Sequence, residues 1–121
     1  MKICLIAPQT PFLQSSSFPP LNLLYLASYL RRHKFEDIQL VDLDITQKIP
    51  SADVYVITAT TVQFPYAEEL LPSLDGITII GGAHPTADPV SCKMLDKVII
   101  NDGETAIISC LEDLQSQNKV S

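Results

Sequence analysis

Side chains able to do chemistry gather in four short segments, each following an apolar run: APQTP from Ala7, TATT from Thr58 to Thr61, GGAHPT from Gly81 to Thr86, and NDGET from Asn101 to Thr105. Thr58, Thr60 and Thr61 offer hydroxyls that could hold an amide or a phosphate, although β propensity and helix capping favour threonine at such places too. Gly81 and Gly82 lack a Cβ, so they tolerate positive φ and let backbone approach a ligand; a tight strand-to-loop turn uses the same freedom. His84, between Ala83 and Pro85, could ligate a metal or act as a general base, yet no partner stands at ligand spacing and no acid lies beside it. A lone loop histidine is more often a hydrogen-bonding residue. Glu104 follows Gly103 where a helix should begin, and an acid there satisfies the helix dipole.

Other chemistries lack their parts. No nucleophile stands beside a base, no carboxylates pair within one motif, and no metal quartet is written, so no catalytic residue and no metal ligand are assigned. Cys4, Cys92 and Cys110 are odd in number, widely spaced and free of a C-x-x-C pair, which reads as reduced, structural thiols. Asp42 and Asp44 end a strand where an acid can hold a ribose, but neither G-x-G-x-x-G nor G-x-x-x-x-G-K-[ST] is present, so a nucleotide-binding fold is rejected. A receiver module needs an Asp where Thr58 stands and acids where Ala7 and Pro8 stand.

The elements that must position these segments are legible as alternating patterns. Apolar, β-branched runs predict five strands at Lys2–Ala7, Ile38–Asp42, Val54–Thr58, Thr78–Ile80 and Lys97–Ile100. A helix from Pro20 to Lys34 carries Leu21, Leu24, Tyr25, Ala27, Ser28 and Leu30 as its stripe and ends in the cations Arg31, Arg32 and Lys34, which complement the helix dipole as a solvated cap. A second helix runs from Gln63 or Tyr66 to Leu74, a short one from Pro89 to Leu95, and a last one from Glu104 to Gln117, burying Ile107, Ile108, Leu111 and Leu114. Strands alternating with helices define an α/β fold: a Rossmann-like, flavodoxin-like doubly wound sheet of five parallel strands, order 2-1-3-4-5. Its ligand crevice would lie at the carboxyl ends of the strands, where all four polar segments fall. Four small or hydroxyl-bearing loops on one rim suit a large flat ligand approached through backbone.

At 121 residues the chain suits a single domain, 1–121, with the polar tail 115–121 expected to fray or to mark where a longer protein was cut. With 8 Lys+Arg against 14 Asp+Glu and no basic stripe, nucleic acid is an unfavourable partner. No apolar run approaches the roughly 20 residues that span a bilayer, so a soluble cytoplasmic protein without a membrane partner is expected.

Taken in order, FPPLNLLYLASYLRR, VDLD, ADVYVITATT, IIGGAHPTADP and DKVIINDGETAI resemble the cobalamin-binding N-terminal domain of cobalamin-dependent radical S-adenosylmethionine enzymes. The resemblance spans about Ile3 to Leu114 and implies a corrin held over the carboxyl ends of the strands, with its nucleotide tail beside the third and fourth. It implies cofactor-binding roles for Pro8 and Gln9 after the first strand, for Leu21 and Leu24 of a P-L-x-x-L helix start, for Thr58, Ala59, Thr60 and Thr61, for Gly81, Gly82, Ala83, His84, Pro85 and Thr86 of a G-G-x-H-x-T loop, and for Gly103 and Glu104 of a G-E-G-E turn. Asn22 stands where the family often has Gly, and Asn101–Asp102 replace the turn's first Gly-Glu pair. The D-x-H-x-x-G motif that ligates cobalt in methionine synthase and the mutases is absent, so a bound cobalamin would lack a histidine from this domain beneath cobalt. The C-x-x-x-C-x-x-C cluster motif of the radical enzymes is absent too. The resemblance thus implies a stand-alone or truncated module that carries or presents a corrinoid to a radical S-adenosylmethionine or methyltransferase partner. The alternative is a regulatory or interaction protein that kept the fold and lost the cofactor, its crevice filled by Phe12, Phe18 or Phe64. A small enzyme using His84 and Glu104 ranks last.

Overall fold

In the computed structural model the described residues are 1–7, 21–43, 48–58, 64–81, 95–99 and 104–118. Four five-residue strands, β1 (Ile3–Ala7), β2 (Ile38–Asp42), β3 (Val54–Thr58) and β4 (Ile77–Gly81), pair in parallel in the order 2-1-3-4. All five residues of β1 and the first four of β3 are buried. Stiff β-branched side chains favour the extended backbone, and cover on both faces lets these central strands be apolar throughout.

The expected fifth strand of four residues is corrected. β5 is only Lys97–Val98, paired with β4 at Ile79↔Lys97 and Ile80↔Val98. It begins at Lys97, as expected, but ends at Val98; just before it, Thr78 N–H donates to Asp96 Oδ2 at 2.8 Å. Asp96 N–H in turn donates to Thr78 Oγ1 at 3.2 Å, and Ile99 N–H donates to Ile80 O at 2.8 Å. β4, by contrast, gains one residue at each end over the expected Thr78–Ile80, because its register with β3 runs from Val54↔Ile77 to Thr58↔Gly81.

Helices α1 (Leu21–Arg32) and α3 (Glu104–Asn118) cover one face of the sheet, and α2 (Phe64–Leu70) covers the other. Leu26, Ala27 and Leu30 of α1 join Ile107, Ile108, Leu111 and Leu114 of α3 over Leu5, Val56 and Ile79. Phe64 and Ala67 of α2 pack over Cys4, Ile6 and Ile57. Burying each such aliphatic side chain is worth about 1.5–3 kcal/mol.

The α1 stripe read from the sequence is rotated. Ala27 and Leu30 are buried as expected, but Leu24, Tyr25 and Ser28 are exposed and Leu26 takes the inward place. The stretch is apolar around most of its circumference, so periodicity alone leaves its inward face undetermined. The helix ends in a Schellman motif without glycine: Lys34 adopts φ 72°, Phe35 N–H donates to Leu30 O at 3.1 Å, and Lys34 N–H donates to Arg31 O at 3.2 Å. Phe35 and Leu30 share the same buried cluster, the hydrophobic contact that accompanies this cap. Arg31, Arg32 and Lys34 are exposed, as a solvated cap requires.

The second helix stops at Leu70 and continues as a 3-10 turn, Leu71–Ser73. Pro72 has no N–H to continue the α ladder and disfavours the α region for the residue before it. The last helix runs to Asn118, one residue past the expected Gln117, with Leu114 buried. The short helix expected over 89–95 lies, apart from Leu95, outside the described residues. Among the described residues no helix is long and apolar enough to cross a membrane.

Gly76 begins the turn into β4 against the backbone of the residues before β3. A Cβ there would lie 2.6 Å from Asp53 O and closer still to Ala52 O.

Candidate functional site

The carboxyl edge of the sheet is the expected ligand edge, and four of its positions are described. Ala7 pairs with Asp42, and Thr58 pairs with Gly81. Because Ile6 pairs with Ile57, the next step sets Ala7 beside Thr58, so the strand ends form a row Asp42–Ala7–Thr58–Gly81. Strand alternation puts the whole row on the face covered by α1 and α3, since Leu5, Val56 and Ile79, two residues earlier on three of these strands, belong to that cluster.

Three adjacent members of this row are small. Ala7 and Gly81 are buried and Thr58 is half-buried. A Cβ built on Gly81 meets only one atom among the described residues, Ile99 Cβ at 3.8 Å, which is ordinary contact. Gly81 is thus not required by a left-handed backbone: it sits as the last residue of β4 with no positive φ, correcting the turn-type role its sequence suggested. Among the described residues its lack of a side chain leaves room, at the level where α1 and α3 begin.

Leu21 and Glu104 open α1 and α3, the places expected of them. Leu24, inferred from the resemblance to touch ligand, is 46% exposed and lies off the face that packs on the sheet. Pro8, Gln9, Ala59, Thr60, Thr61, Gly82, Ala83, His84, Pro85, Thr86 and Gly103 lie outside the described residues, as do Phe12, Phe18, Asp44, Cys92 and Asn101–Asp102. Phe64, one of three side chains suggested to fill the crevice, packs with α2 on the opposite face.

Cys4 is fully buried in β1 and desolvation pushes its thiol up to about 11, which fits an inert core residue. Cys110 is half-buried and, like Cys4, in no disulfide. Among the described residues no three His, Cys, Asp or Glu side chains stand close enough to hold a metal ion.

Sequence reasoning missed a polar network at the opposite, amino edge. Tyr55 Oη lies 2.6 Å from Asp75 Oδ1 and 2.8 Å from Pro50 O, and it accepts the Ala52 N–H at 3.0 Å. Ser51 Oγ donates to Asp75 Oδ2. Lys2 N–H donates to Asp53 Oδ2 at 2.7 Å. Hydrogen bonds from Ser51 and Tyr55 hold the Asp75 carboxyl below its ordinary range, while burial, then the Asp75 carboxylate, pushes the Tyr55 phenol up. Lys2, Ser51, Ala52, Asp53 and Asp75 line an open depression of about 500 Å3 together with Met1 and Asp37. Its hydrogen bonds run between loops and close the sheet edge, which makes it a structural clasp. The one signal in the sequence was a tyrosine inside an otherwise aliphatic strand.

No known protein family, curated protein or solved structure matches the chain.

Proposed function

We propose that this chain is a corrinoid-binding module: a Rossmann-like, doubly wound domain that holds cobalamin at the carboxyl edge of its sheet and presents it to a partner enzyme. The observation that carries the reading is the row Ala7–Thr58–Gly81, small residues in register at three adjacent strand ends beside the starts of α1 and α3. Open α/β sheets take ligands at this edge, where strand order reverses between β1 and β3. The order of loop motifs along the chain supports the same reading, with Thr58 and Gly81 as the first residues of the hydroxyl and glycine loops.

The residues present fit such a group. A ledge of Ala, Thr and Gly admits a flat or rod-like ligand against the backbone, and the Thr58 hydroxyl can hydrogen-bond an amide of the corrin periphery. When bound, cobalamin supplies the cobalt-centred chemistry; the chain binds it, orients it and leaves the reaction to the partner.

The test is a visible-spectrum and calorimetric titration of the purified chain with hydroxocobalamin, run beside Thr58→Leu and Gly81→Leu, each checked for folding by circular dichroism. Saturable one-to-one binding that is lost in the folded variants is the expected result. No spectral change with the folded wild-type chain refutes the proposal and leaves an interaction protein that kept only the fold. Binding that survives both substitutions would move the ligand away from this ledge.

A further inference from the structure

We infer that the outer surface of the α1/α3 layer is a self-association face, occupied by a second copy of this chain. α1 and α3 lie on the same side of the sheet, and both run from its carboxyl edge toward its amino edge. Opposite their buried faces, each presents three exposed residues at positions i, i+3 and i+7: Tyr25, Ser28 and Arg32 on α1, and Ala106, Ser109 and Asp113 on α3. That spacing aligns residues along one side of a helix.

The two stripes complement one another position by position. Tyr25, 58% exposed, is large where Ala106 is small; serine stands at the middle of both; and Arg32 is opposite in charge to Asp113. Among the described residues neither Arg32 nor Asp113 has an ion-pair partner within the chain. A twofold axis parallel to the helices, lying between α1 and α3, places each α1 on the partner copy's α3 with the helices parallel, the isologous arrangement a dimer needs. The spacing along each helix is the same. At a rise of about 1.5 Å per residue, Tyr25 and Arg32 lie about 6 and 16 Å past the start of α1, and Ala106 and Asp113 about 3 and 14 Å past the start of α3. Each stripe thus spans about 10.5 Å, so the two pairs come into line together where α3 begins about 3 Å further along the axis than α1. The small residues allow the helix axes to approach closely.

Charge favours this arrangement over others. Copies of a chain with net charge −6 repel one another in most orientations, so a face that brings each Arg32 to an aspartate selects a single docking. The axis also points both carboxyl edges the same way and leaves them uncovered. The inference does not depend on what those edges bind.

The experiment is sedimentation equilibrium of the full chain at about 100 μM, between the millimolar and micromolar regimes of weak association. The expected mass is twice 13.3 kDa. Arg32→Glu and Asp113→Arg each set two like-charge pairs into the symmetric dimer, so each alone should weaken association at least tenfold. Mixed in equal amounts, the two variants restore both opposite-charge pairs and should recover the dimer. Circular dichroism of each variant separates lost association from lost folding, since both positions are exposed. A wild-type monomer under these conditions overturns the inference, as does a dimer indifferent to both substitutions or a mixture that stays monomeric.

Discussion

Replacing Gly76 with alanine should destabilise this protein far more than the same change at Gly81, for a reason measurable in ångströms. The added Cβ at 76 falls 2.6 Å from Asp53 O, where an ordinary contact begins at 3.4 Å, so backbone must move by about 0.8 Å. That carbonyl accepts the Ile77 N–H at 3.0 Å, while Asp53 and Val54 both donate to Lys2 O, so the shift strains the start of both the β3–β4 and the β1–β3 ladders. Overpacking strain of about 1–3 kcal/mol, plus about 1 kcal/mol for a weakened ladder bond, exceeds the gain of about 0.4–1 kcal/mol from a stiffer unfolded chain. The net loss is about 1–3.6 kcal/mol, and at about 3–6 °C per kcal/mol for a domain of this size the midpoint should fall by about 3–20 °C. At Gly81 the new methyl meets only Ile99 Cβ at 3.8 Å among the described residues, so Gly81→Ala should leave stability within about 1 kcal/mol of wild type. Paired thermal and urea melts followed by circular dichroism read both. Equal midpoints for the two variants would refute the steric argument.

Three further outcomes follow from the same geometry. Lys34→Gly removes a side chain from a left-handed cap at φ 72° and should raise stability by about 0.5–1 kcal/mol in urea melts; a loss would mean the lysine makes a compensating contact. At pH 8, a thiol titrating at about 11 rather than 9.0 is about a hundredfold poorer in thiolate. Peptide mass mapping after iodoacetamide should therefore find Cys110 alkylated well before buried Cys4, and equal rates would contradict the packing of β1. Asp75 titrates below its ordinary value in the folded chain, so its contribution is present above about pH 4 and is lost as pH falls through the folded value. Tyr55 titrates above its ordinary value, so its contribution is present below about pH 10 and is lost as pH rises through the folded value. Urea midpoints of Tyr55→Phe against wild type across both ranges check this, and identical pH profiles would dissolve the clasp.

Local patterns were enough for the sheet because each strand is a short β-branched run, and Ile38–Asp42 and Val54–Thr58 could be bounded to the residue. They overran the end of β5, which pairs with β4 only at Lys97 and Val98, because how far an edge strand pairs depends on its neighbour and not on its own β-branched run. They also overran α2, although Pro72 was visible, because whether a chain bends into a 3-10 turn depends on what lies beneath it. Of the candidate site, the segments at the carboxyl ends were legible as glycine and hydroxyl clusters, but their alignment across strands was not.

The sequence by itself determined the alternation of strands and helices, the apolar character of β1 and β3 and the burial of Cys4, since these rest on side-chain chemistry repeated over a few residues. Only the tertiary structure decided which side of α1 faces inward, that Lys34 would close its helix in a left-handed turn, that Tyr55 would meet Asp75 twenty residues away, and that Ala7, Thr58 and Gly81 would stand abreast. Each of these depends on register or burial between segments distant in the chain, which no local periodicity encodes.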